Sequence, residues 1–197
     1  MEKTKIPILF LTQAAIIAAL YAVLTLVLWT FSSLGIQVRV SEALCVLPLF
    51  TNAAVPGLFI GCAVANLIAG NVIDAIFGGM ATLVAAGLTY LIGRKLKGNA
   101  RLLLAPLPAV VINALVIPFV IYFAYNETEM LGFTEPWAVL GLLALSLFIG
   151  QGIACYGIGI PLTLALQRIT KRFNIFEPDN YRRRAEKKGE ESHDEMQ

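Results

Sequence analysis

Two carboxylates and one guanidinium stand alone in an apolar stretch of chain. Glu42 and Asp74 are the only acids between Glu2 and Glu127, and Arg39 is the only base between Lys5 and Arg94. Gln37, Asn66 and Asn71 accompany them, and Asn113 and Gln151 follow in later apolar runs. An ionic or polar group at membrane depth is expensive and is a functional candidate by default. Carboxylates suit a ligand that presents adjacent N–H donors or an ammonium, because charge-assisted hydrogen bonds are the strong ones. Asn and Gln offer a donor and an acceptor in one group. Together these residues point to a binding site for a small, polar, cationic solute. Structural roles compete with that reading. Asp74 is placed to cap a helix, Arg39 and Glu42 are spaced to pair with each other, and Asn113 lies among prolines that free backbone carbonyls. Phe77, Tyr122, Tyr125 and Trp137 could stack on a planar ring, or sit at the membrane interfaces where aromatics gather.

The elements that must position these residues follow from composition. The 197-residue chain is 58% apolar and only 14% charged, with a mean hydropathy of +0.76. Soluble domains carry about 25% charged residues. The continuous apolar runs differ from the alternation of a membrane barrel. The expected class is therefore an all-α integral membrane protein, with a membrane domain over 1–170 and a charged tail over 171–197. The apolar run 6–34 is too long for a signal peptide and is expected as a first membrane helix.

Charge sets the number of crossings. Lys3 and Lys5 precede the first helix, and Arg94, Lys95, Lys97 and Arg101 follow the base-free block 43–92. The positive-inside rule puts both clusters in the cytoplasm, so that block crosses an odd number of times. It is too long for one crossing, which leaves three. Breaks at Val55-Pro56-Gly57 and Gly70-Asn71 divide it. Six transmembrane helices are expected, near 7–31, 42–54, 57–70, 74–93, 102–125 and 137–170, with both termini cytoplasmic. Fourteen of the fifteen Lys and Arg then lie inside, and only Arg39 lies outside. The second and third helices are short, as helices near membrane binding sites tend to be. The glycines of 150–159 are expected to bend the last helix.

Two rows of small residues could serve close helix approach. Ala14, Ala18 and Ala22, with Ala15 and Ala19 beside them, form either a partner-docking stripe or an internal seam. Gly57, Gly61, Ala65 and Ala69 read as internal packing. Other chemistries find little support. Cys45, Cys62 and Cys155 form no metal or disulfide pattern, so no metal site is expected. No phosphate-binding GxxxxGK[ST] loop is present, and no cofactor is expected in this chain. An intramembrane enzyme would have only Cys45 or Ser41 beside Glu42, without a nearby His. The basic run 182–188 is first of all a topology signal, and no nucleic-acid partner is expected. A stand-alone facilitator would need a continuous polar path, which the inner half lacks.

The segment GIQVRVSEALCVLPLFTNAAVPGLFIGCAVANLIAGNVIDAIFGGMATLVAA resembles the queuosine-precursor transporter (QueT-type) family, substrate-binding S components of energy-coupling factor (ECF) transporters. The likeness covers roughly 14–93 and is specific in QxRxSEAL, LPLF and GLFIGC. It implies a non-enzymatic six-helix subunit that captures 7-aminomethyl-7-deazaguanine, or a close relative, from outside a bacterial plasma membrane. It also implies a membrane coupling subunit and two ATPase subunits as partners, with ATP used by those partners. Glu42 and Asp74 would serve the base edge and the cationic arm, and the alanine stripe would become the docking surface. An S component for another vitamin-like solute is the alternative.

Overall fold

Apolar runs in lipid fold as helices because every backbone N–H and C=O needs an internal partner there. The computed structural model describes residues 2–28, 39–125 and 135–173. Among these the chain is all helical, without a strand. α1 (Glu2–Val27) leads to a 3₁₀ segment (Val40–Leu49), α2 (Ala54–Ile68) and α3 (Val72–Lys95). The short α4 (Gly98–Leu104) bends at Pro106 into α5 (Leu107–Val120), which a π turn prolongs through Tyr125. α6 (Pro136–Gly152) continues through a second π turn (Ile153–Ile158) into α7 (Gly159–Phe173). Four spans, 8–27, 72–95, 98–123 and 136–170, are long and apolar enough to cross a membrane. The 3₁₀ segment and α2 are apolar but shorter. The chain is a multi-pass membrane protein. Gln37 and the acidic loop residues Glu127 and Glu129 lie outside the described residues, as does the tail beyond 173.

The second expected helix, 42–54, is instead the 3₁₀ segment. Pro48 lacks the N–H an α-helix needs, and its ring would meet the carbonyl of Leu44. Wound more tightly at about 2.0 Å per residue, ten residues reach about 20 Å rather than about 15 Å. Every residue from Ser41 to Leu49 is buried. The segment is thus the axis of the bundle, with α1, α3 and the α6–α7 rod around it. The following break falls at 50–53, before the position expected from Pro56. Proline is tolerated in a helix's first turn, where its missing N–H has no partner to lose, so α2 begins ahead of it. The second break lies where expected. Gly70 adopts φ +82°, and Asn71 N–H donates to the Asn66 carbonyl at 2.8 Å, closing α2 as a Schellman motif does. Among the glycines at the expected bend, the last helix changes its winding to a π turn.

The two small-residue rows meet each other. A Cβ on Gly57 would lie 2.8 Å from the Ala14 carbonyl oxygen, and one on Gly61 would lie 2.7 Å from that of Ala18. Ala14 and Ala22 are buried and Ala18 is half-buried. Ala14 and Ala18 belong to an internal seam with α2 and Ala22 is buried above it, while Ala15 and Ala19 stay exposed on the other side of α1. Backbone approach this close is how membrane helices gain packing without a hydrophobic driving force. Gly61→Leu should therefore lower the melting temperature of the detergent-purified protein strongly or prevent its folding, since the obstacle is backbone. Gly141→Ala, at a helical position with nothing within 4 Å, should be neutral or stabilise by up to about 1 kcal/mol. Equal melting of Gly61→Leu and wild type would remove the seam from this account.

Candidate solute-binding site

The 3₁₀ segment carries Glu42 into the middle of the bundle, where it is 1% exposed. Two side chains hold its carboxylate. The Tyr21 hydroxyl of α1 donates to Oε1 at 2.6 Å, and the Cys45 thiol donates to Oε2 at 3.0 Å. The Glu42 backbone carbonyl lies 3.5 Å from Cys155 Sγ in the second π turn. That sulfur is also 3.8 Å from Gln151 Oε1. Among the described residues no cation lies within 4.0 Å of Glu42. The expected Arg39–Glu42 pair is not formed. A buried charge is retained at a reasonable cost only when paired and hydrogen-bonded; here the hydrogen bonds are direct, and Arg39 acts on Glu42 electrostatically without a contact ion pair.

A second group lies at the facing ends of α2 and α3. Asn66 Nδ2 donates to the Asp74 carbonyl at 3.4 Å and lies 3.5 Å from Cys62 Sγ. Arg39, just before the 3₁₀ segment, brings a guanidinium nitrogen to 4.0 Å from Asp74 Oδ2. Asp74 is not the N-cap of α3. That position is Asn71, which makes no side-chain cap bond, while Asp74 sits in the first turn with its carboxylate turned inward. Cys62 packs in one cluster with Tyr21, so the two groups are neighbours. The strip comprises Gln151, Cys155, Glu42, Tyr21, Cys62, Asn66 and Asp74, with Arg39 in electrostatic reach of Tyr21, Cys62, Asp74 and Glu42.

The remaining sequence candidates fall as follows. Asn113 is buried on α5, one turn before Ile117, whose Cδ1 faces Gly78 of α3 at 3.7 Å from a Cβ placed there. Gln151 is buried beside the π turn. Asn71 is half-buried and serves α2 through its backbone. Phe77 and Trp137 are exposed. Phe77 lines an open apolar groove of about 540 Å³ with Ile73, Leu115, Phe119 and Phe123. That groove is lined by apolar side chains throughout. Tyr21 was not singled out by the sequence. Its signal was register, since Tyr21 and Thr25 continue the helical face of Ala14 and Ala18. Thr25 Oγ1 lies 2.8 Å from Ser41 Oγ, so that face fastens the 3₁₀ segment at two points.

Comparison with known proteins gives two findings. The family model described as QueT transporter matches residues 11–168. The chain is 38% identical over 85 residues to the queuosine precursor transporter QueT of Lactococcus lactis subsp. cremoris (strain MG1363). That match covers 42% of this chain and 50% of the relative, so the chain spans about half the length of the curated protein it matches. No solved structure matches the chain.

The Tyr21–Glu42 bond makes a direct prediction. Tyr21→Phe removes the hydroxyl and leaves a buried carboxylate oxygen short of a donor, which should destabilise the purified protein by about 1–3 kcal/mol, read as a lowered melting temperature. Unchanged melting would mean that the bond contributes nothing to holding the 3₁₀ segment.

Proposed function

The chain belongs to the QueT transporter family, and from that premise we propose that it is the substrate-binding S component of an ATP-driven ECF importer. Its solute is a queuosine precursor, 7-aminomethyl-7-deazaguanine or a close relative. The observation that carries the reading is Glu42, a buried carboxylate held by Tyr21 and Cys45 with no ion pair within 4.0 Å among the described residues. An ammonium-bearing solute supplies the missing charge, and charge-assisted hydrogen bonds make that contact strong. Asp74 is the second carboxylate, and Asn66, Gln151 and Asn113 add groups that both donate and accept. The description of the family is of transport, which points away from catalysis.

The mechanism follows from where these groups sit. With both termini in the cytoplasm of a bacterial cell, Arg39 and the start of α3 lie toward the outside. The solute enters there, between the first loop with Gln37 and Arg39 and the ends of α2 and α3 with Asn66, Asn71 and Asp74. A membrane coupling subunit and two ATPase subunits supply the energy, because this sequence has no phosphate-binding loop of its own. The exposed side of α1, with Ala15 and Ala19, is the face offered to the coupling subunit, since Ala14 and Ala18 are engaged with α2 and Ala22 is buried. The loaded subunit tilts against its partner and releases the solute inside.

Titration of purified protein with 7-aminomethyl-7-deazaguanine beside guanine, riboflavin and thiamine tests the solute. The deazaguanine should bind tightest, and equal or absent binding would remove it. Glu42→Gln and Asp74→Asn should each weaken binding by more than about tenfold, the scale of a lost charge-assisted bond, with folding intact by melting. Ala19→Trp should spare binding and abolish co-purification with the coupling subunit. A normal complex from that variant would place the docking face elsewhere.

A further inference from the structure

A buried acceptor without a donor demands an explanation, because nearly all such groups in folded proteins are paired. The strip holds two of them on residues joined by a hydrogen bond. Asn66 Oδ1 and Asp74 Oδ1 are both buried and without a hydrogen-bond partner, on residues that are 1% and 6% exposed. The amide orientation follows from its neighbour. Asn66 Nδ2 faces the Asp74 carbonyl at 3.4 Å, and a flipped amide would set two oxygens against each other. Arg39 approaches the other carboxylate oxygen, Oδ2, and leaves Oδ1 open. Gly78, one turn beyond Asp74, contributes no side chain next to the pair. Glu42 differs, since both of its oxygens already accept from this chain.

Resting on the solute reading above, we infer that Asn66 and Asp74 form a paired-acceptor subsite that reads one edge of the solute. The edge it fits carries two neighbouring N–H donors, a ring N–H beside an exocyclic amino group, as in a 2-amino lactam. Glu42 does not make this contact. It is the counter-charge for the cationic arm. The division follows from satisfiability. The two open oxygens need one donor each, and a planar edge with two adjacent donors fills both at once. A solute with hydrogen in place of the amino group leaves one oxygen stranded, and a solute with a carbonyl there sets acceptor against acceptor. Sites built on buried polar groups reject such analogues far more strongly than apolar pockets reject a missing methylene. This pair therefore sets specificity, while Glu42 sets the preference for charge.

The test uses the purified full chain and two probes, 7-aminomethyl-7-deazaguanine and its analogue lacking only the 2-amino group. Wild type should bind the analogue at least about tenfold more weakly. Asn66→Ala or Asp74→Ala should shrink that ratio to about threefold or less, because the stranded acceptor is gone. Glu42→Gln should keep the full ratio while weakening both probes. The wild-type comparison stands even if a variant fails to fold. Tight binding of both probes by wild type, within about threefold of each other, overturns the acceptor pair and leaves the functional reading in place. A ratio that survives both alanine variants and vanishes in Glu42→Gln assigns the edge to Glu42 and overturns the division. Binding of neither probe overturns the functional reading and the pair together.

Discussion

A carboxylate kept from water must find its hydrogen bonds and its counter-charge within the protein or from a ligand. Glu42 is that carboxylate, and much of this fold is arranged to hold it. It rides on a segment buried from Ser41 to Leu49. Tyr21 reaches it from α1, Cys45 from its own segment, and Cys155 meets its backbone from the α6–α7 rod. Three separately threaded elements converge on one residue. The protein supplies the donors, and in the proposed reading the solute supplies the positive charge.

The close packing of α1 on α2 makes this possible. Tyr21 can reach Glu42 only if α1 lies near the axis, and the Gly57 and Gly61 contacts with the Ala14 and Ala18 backbone bring it there. The same approach sets Tyr21 against Cys62, and Cys62 lies one turn from Asn66. Helix packing and the proposed solute site therefore share residues. A change in how α1 sits would be felt at Glu42 within two contacts, which gives the exposed side of that helix a physical route to the site. Such a route is spatial and carries coupling only if α1 has two positions that a partner and a solute favour differently.

Much of this was legible in the sequence. The membrane class, the break at Gly70-Asn71 and the isolation of Glu42, Asp74 and Arg39 in an apolar stretch all follow from composition and punctuation. The 3₁₀ segment was not legible, because its apolar run is also compatible with a short α-helix and only tertiary enclosure selects the tighter winding. The partners of the charged groups were not legible either. Arg39 and Glu42 are three residues apart and read as a pair, yet Arg39 turns to Asp74 and Glu42 to Tyr21. Helix register decides that outcome. Ala14 and Ala15 are adjacent in sequence but lie on different faces, and the alanine pattern alone does not say which face has a neighbour. The family likeness supplied the solute class, while the open oxygens of Asn66 and Asp74 distinguish roles that two carboxylates in a sequence leave equivalent.

The central claim is that Glu42 awaits a positive charge. It is tested most directly by the affinity ratio of purified wild-type protein for 7-aminomethyl-7-deazaguanine over the same base with a neutral nitrile in place of the aminomethyl arm. The account predicts a ratio of at least about tenfold in favour of the cation, the scale of a charge-assisted bond in a buried site, and a ratio near one in Glu42→Gln. Equal binding of the two solutes by the wild-type protein would contradict it.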